Sequence, residues 1–236
     1  MAGKTRVSQE TAREEKLAEL VAAVRDCRLC AAHLPLGPRP VLRARASARV
    51  LIAGQAPGTK VHASGIPWND ASGERLRDWL GLPAPLFYDE GRVAIVPQGF
   101  CYPGKGANGD LPPRPECVAT WHDGLLAALP NIELIVAAGR YAHAYHLKGR
   151  LKPTLTATVA AWQDYAPRVV PVPHPSWHNN HWLAQNPWFT AETLPYLRAR
   201  IAKLIPEAAS MRRENALNKL RPTVGPVAQV VRAGRS

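Results

Sequence analysis

Four cysteines are the residues whose types and spacing most plainly announce chemistry. Cys27 and Cys30 stand as C-x2-C, and Cys101 and Cys117 as C-x15-C. The close pair sets two thiolates on one metal without strain. The wide pair completes a four-thiolate site only if the fold brings both segments together. Such a donor set serves zinc or an iron–sulfur cluster equally well. All four cysteines of the chain fall in this set. Other reactive side chains sit in Gly- and Pro-rich stretches: Gln55, Asp70, Gln98 and His174.

These stretches are held by an alternation of elements. A helix is expected from Ser8 to about Cys27, on the spacing of Leu17, Leu20, Val21 and Val24. Apolar runs at 49–54, 93–96, 134–138 and 168–172 read as buried strands. Helices are expected at 72–80, 114–129, 140–148 and 190–204, with Pro115 in the first turn of the second. Strands alternating with helices imply a three-layer αβα sandwich around a four-stranded, mostly parallel sheet. Sites in such sheets gather beyond the carboxyl ends of the strands. The loops after Gly54, Val96 and Val172 lie there.

The 236 residues suffice for a single domain, placed at 1–205, with a basic tail at 206–236. Thirty Lys and Arg against 18 Asp and Glu give a formal charge of +12, which favours a polyanion partner through counterion release. No apolar run is long enough for a membrane span. Residues 1–16 are polar and charged, without a signal core, so a cytoplasmic protein is expected. In a reducing compartment the cysteines are better explained as metal ligands, redox groups or core residues than as disulfides.

Four local patterns together resemble the uracil-DNA glycosylase superfamily. They are Gly54-Gln-Ala-Pro-Gly58, Gly65-Ile-Pro-Trp-Asn-Asp-Ala-Ser-Gly73, Leu134-Ile-Val-Ala-Ala-Gly-Arg140 and His174-Pro-Ser176. The cysteine order, beside Pro103, Asn108, Pro113, Pro115 and Glu116, resembles the iron–sulfur-containing families four and five. The resemblance spans about residues 15–205. It implies a monomeric glycosylase that removes uracil, or other deaminated bases, from DNA and so opens base-excision repair. It also implies a structural [4Fe–4S] cluster on Cys27, Cys30, Cys101 and Cys117, with zinc as the alternative.

A glycosylase flips its target nucleotide into a pocket. By the resemblance, His174 stabilises the leaving base and Trp68 stacks on it, where relatives carry Phe. Gln55 occupies the position of the family-four Glu. An amide can orient a water but cannot take its proton, and the next residue is Ala56. Asp70 is therefore expected to position water and stabilise the sugar cation, as proposed for family five, while also suiting a helix N-cap. The base-reading Asn of relatives is missing from Val96-Pro-Gln-Gly-Phe-Cys101, and Gln98 is the nearest amide. Ser176 is expected to contact a phosphate, and Trp177 and His178 to enter the minor groove. The missing acid at 55 and 56 keeps a second reading open, a noncatalytic four-cysteine DNA-binding protein on the same fold.

Overall fold

The computed structural model describes residues 2–107 and 109–211. Its first helix, Ala2–Arg25, begins earlier than the apolar spacing indicates. No proline interrupts the segment, so helical backbone continues N-terminal of the stripe Leu17, Val21 and Val24 that is buried.

The strands are β1 (Val50–Ala53), β2 (Val93–Ile95), β3 (Lys105–Gly106), β4 (Gly109–Asp110), β5 (Leu134–Ala138) and β6 (Val169–Val172). Four of them form one sheet in the order β2-β1-β5-β6, and every neighbouring pair is parallel. All strand residues of this sheet are buried, the pattern of a sheet covered on both faces. The pleat divides them. Val50, Ile52, Val93, Ile95, Leu134 and Val136 pack with Leu76, Trp79, Phe87 and Phe189 on one side. Leu51, Ala53, Ala94, Ile135 and Ala137 pack with Leu17, Val24, Phe100 and Leu125 on the other. This gives the three layers that the alternation of elements indicates.

Three features depart from the sequence reading. The expected helix over 114–129 is divided into Pro115–Cys117, a π-helical turn Val118–His122 and Asp123–Ala127. The segment 97–113 is not wholly irregular, because β3 and β4 pair antiparallel as a hairpin, Lys105 opposite Asp110. Packing also runs past residue 205. Residues 207–211 are helical, Ala208 is fully buried in the core, and Glu207 pairs with Arg92 at 2.8 Å. The basic stretch from Arg212 onward lies outside the described residues.

The parallel order places β1 at a switch point: the chain moves outward to β2, then returns to the other side of β1 with β5. The loops after β1, β2, β5 and β6 therefore converge at one end of the sheet. His143 ties two of these strands together there. Its Nε2–H donates to the carbonyls of Ala137 (3.0 Å) and Val172 (2.9 Å).

Candidate active site

A cavity of about 580 Å³ opens at that end of the sheet. Its walls bring together Gln55, Trp68, Asp70, His174, Ser176 and His178, which come from three separate loops. Six of the residues singled out in the sequence thus share one space.

The first wall follows β1. Gly54 ends the strand, and Gln55 Nε2 donates to the carbonyl of Leu111 at 3.1 Å. The main chain of this loop also holds its neighbour: Gln98 N donates to Gly54 O at 2.9 Å, and Gly99 N to Gln55 O at 2.8 Å. Ala56 lines the cavity without a polar group.

Trp68 has an unusual backbone, with φ at +57°, a left-handed conformation costly for a bulky residue. Its surroundings over-determine it. Trp68 O accepts from Arg77 Nη1 (3.2 Å) and Tyr88 Oη (3.3 Å). A side-chain carbon at Gly73 would overlap that same carbonyl, and one at Gly54 would lie 2.6 Å from Trp68 Cζ2. Two glycines therefore admit the indole, which faces His174 with ring centroids 5.5 Å apart and planes tilted by 34°.

Asp70 is the N-cap of the helix Ala71–Leu80, and its Oδ1 accepts from Gly73 N at 2.8 Å. The carboxylate nonetheless faces the cavity, and its charge raises the proton affinity of His174. Desolvation by burial outweighs that effect and holds the His174 pKa below the ordinary imidazole value. The ring is thus neutral near pH 7, with an N–H available to donate. Asn179 Nδ2 fixes the loop by donating to His174 O at 2.7 Å. Gly139, at φ +86°, lets β5 pass close behind the histidine.

The rim carries Ser176, whose carbonyl accepts from Arg75 Nη1 at 3.0 Å. Trp177 projects into solvent, 68% exposed, and stacks on His178 with centroids 3.8 Å apart. An exposed aromatic pair beside a concave site is available to a partner surface.

Gln98 is the exception. It is buried, absent from the cavity wall, and directed away from it, with Nε2 3.5 Å from His146 Nε2. The physical reason is the backbone clasp on Gly54, which turns the side chain under the loop and leaves Pro97 at the wall. The expected amide reader of the base therefore does not face the cavity.

Two charged wall residues lie outside every motif named in the sequence: Lys105 and Asp110, from the β3–β4 hairpin. Two-residue strands of Lys, Gly and Asp carry no periodicity, so only the fold reveals that the hairpin covers the loop after β1.

A second, smaller cavity lies away from the first. It is lined by Cys27, Cys30, Cys101 and Cys117 with Leu34, Pro38, Pro40, Phe100 and Arg114. The two distant cysteine pairs thus converge, and none forms a disulfide. Burial pushes the Cys117 thiol up to about 12 and raises Cys101 and Cys30, with the other cysteines adding to the effect on Cys117 and Cys101. Thiolates here require a compensating cation. Among the described residues, no three Cys, His, Asp or Glu side chains gather tightly enough to hold one metal ion.

Among the described residues, no helix is long and apolar enough to cross a membrane. The family model of the Uracil DNA glycosylase superfamily matches residues 43–198, which contain β1 to β6 and every residue named above at the larger cavity. With this match over a four-stranded parallel sheet whose strand-end loops enclose the cavity, the chain belongs to the uracil DNA glycosylase superfamily.

Proposed function

We propose that this protein hydrolyses the N-glycosidic bond of uracil and other deaminated bases in DNA, leaving an abasic site for base-excision repair. The observation that carries the reading is the convergence on one cavity of Trp68 and Asp70, from the loop before the helix Ala71–Leu80, and His174, from the loop after β6.

Each side chain matches one need of the reaction. Trp68 offers an apolar face on which a flipped base stacks. Neutral His174 donates a hydrogen bond to the base carbonyl oxygen as negative charge develops there. Asp70 opposes the positive charge that develops on the sugar. Its cap bond to Gly73 fixes the carboxylate before substrate arrives. Gln55, its amide N–H engaged by Leu111, keeps its carbonyl oxygen to orient a water. Among the described residues, Gln98 is turned away and Pro97 stands at the wall in its place, so the expected amide reader is missing from that position, which supports a wider range of deaminated bases.

On the same proposal the four cysteines hold a structural [4Fe–4S] cluster, with zinc as the alternative. They line one cavity, yet no three of them close on a single ion. Bound there, such a group would supply only a cross-link between the first helix, the 101 loop and the helix start at Pro115. Iron and acid-labile sulfide analysis of anaerobically purified protein tests this. About four of each per chain supports a cluster, and stoichiometric zinc contradicts it.

The activity test uses oligonucleotides with a single uracil, hypoxanthine or xanthine, single- and double-stranded, followed by alkaline cleavage at abasic sites. Strand cleavage at the modified position supports the reading. Tight DNA binding without cleavage on any substrate favours the noncatalytic reading that Gln55 and Ala56 keep open.

A further inference from the structure

The reaction needs an acceptor for the proton of the attacking water, and the loop after β1 supplies none. Gln55 and Ala56 occupy its wall. Asp70 is tied to its own helix through Gly73. The hairpin β3–β4 lies over this loop, clasped to it at both ends of the motif. Gln55 Nε2 holds the Leu111 carbonyl, one residue beyond Asp110. Asp110 Oδ2 lies 3.6 Å from where a side-chain carbon on Gly58 would stand. Asp110 is thus a carboxylate set in space against a loop that lacks one in sequence, open to the same cavity as Asp70 and His174.

We propose that Asp110 is the catalytic base of the glycosylase reaction, accepting the proton of the water that attacks the sugar. The water oxygen bonds C1′ as the C1′–N bond breaks. The bonding electron pair leaves with the base, whose anion His174 holds by a hydrogen bond. The water's proton passes to an Asp110 oxygen, and the Asp70 carboxylate opposes the charge on the sugar.

The neighbours of Asp110 suit this division of labour. The Tyr102 hydroxyl, on a buried ring, faces the Asp110 carboxylate and favours its ionised form. Lys105, opposite it in the hairpin and on the same wall, favours its ionised form. Desolvation, and to a lesser degree the charge of Asp70, raise its proton affinity above the ordinary carboxylate value. A carboxylate of raised proton affinity, beside a second one fixed by its helix cap, is an arrangement that separates a proton acceptor from a charge stabiliser.

The inference rests on the glycosylase reading, and the test separates the two. Single-turnover base release by the full-length protein is measured from pH 4 to 9 for wild type, Asp110→Asn, Asp110→Glu and Asp110→Ala. Affinity is measured on DNA carrying an uncleavable 2′-fluoro-deoxyuridine. Asp110→Asn is expected to slow release by about 10²-fold or more, with affinity unchanged and the acid limb of the pH profile altered. Asp110→Glu should recover part of the rate, and added formate should partly rescue Asp110→Ala. Release by Asp110→Asn within about threefold of an active wild type, or a slowed variant with an unaltered acid limb and no formate rescue, overturns the role of Asp110 alone. A wild type silent on uracil, hypoxanthine and xanthine overturns the glycosylase reading and Asp110's role with it.

Discussion

Replacing Gly54 by alanine probes how tightly the end of β1 and the indole of Trp68 are matched. The added methyl carbon would lie 2.6 Å from Cζ2 and 3.3 Å from Cη2 of the ring. Ordinary contact begins near 3.4 Å, so the ring must retreat by about 0.8 Å. It cannot retreat freely. The Trp68 carbonyl is held by Arg77 and Tyr88, its backbone is already left-handed, and Gly73 packs against it from behind. Overpacking of this kind costs about 1–3 kcal/mol. A displacement of about 1 Å in a substrate platform costs about 10²-fold in rate. Gly54→Ala is therefore expected to remain folded, with a modestly lower Tm, and to lose about 30- to 100-fold in single-turnover base release. Trp68→Phe removes the benzo edge that the methyl meets. The double variant Gly54→Ala/Trp68→Phe should therefore be less impaired than the two single losses combined. Wild-type rate in Gly54→Ala, or strict additivity in the cycle, would refute the reasoning that the glycine exists to seat the indole.

Other expectations follow from the same contacts. Gly73→Ala should act chiefly on stability, because its methyl meets backbone rather than a ring; chemical denaturation should show a loss above about 3 kcal/mol. If the proposed cluster is present, Cys117→Ser should lose it and lower Tm, read by metal analysis and calorimetry on the same sample. Burial holds His122 down to about 4 and His146 to about 3, below the ordinary imidazole value near 6.5. The unfolded chain then binds protons that the folded chain refuses, so stability is full above pH 6.5 and falls as pH drops from there towards 4. The slope should be roughly 1–2 kcal/mol per pH unit, and His122→Phe should flatten it in urea titrations at pH 7.5, 6 and 5. Trp177→Ala should weaken binding to duplex more than to single-stranded DNA, measured by fluorescence anisotropy, if the exposed ring fills the gap left by a flipped base.

Where sequence and structure agree, the signal was local and physical. Short apolar runs between a charged residue and a glycine or proline marked β1, β2, β5 and β6, because strands buried on both faces tolerate little else. Asp70 was legible as an N-cap because a carboxylate two residues before Ser72 can reach the free N–H groups of the first turn. The convergence of Trp68, Asp70 and His174 was expected from the strand-end rule. What stayed hidden depends on long-range contacts. Gln98 was placed at the base edge by its distance from Cys101, whereas backbone bonds to the loop after β1 turn it under that loop. The hairpin that carries Asp110 has no pattern of its own and exists only because Leu111 and Gly104 pair across it and Gln55 clasps it. The π-helical turn after Cys117 interrupts a segment whose apolar spacing reads as one helix. There His122 donates to the Pro97 carbonyl at 3.1 Å and stacks on Phe100.

On the proposed function, the cavity at the strand ends releases a base from DNA by means of His174 and Asp70. Chromatographic detection of free uracil from a uracil-containing single-stranded oligonucleotide, with purified full-length protein in single turnover, tests it most directly. Stoichiometric free uracil is expected from wild type, with at least about a 10²-fold slower release from His174→Ala and from Asp70→Asn, both still binding DNA. Free uracil at wild-type rates from both variants would contradict it.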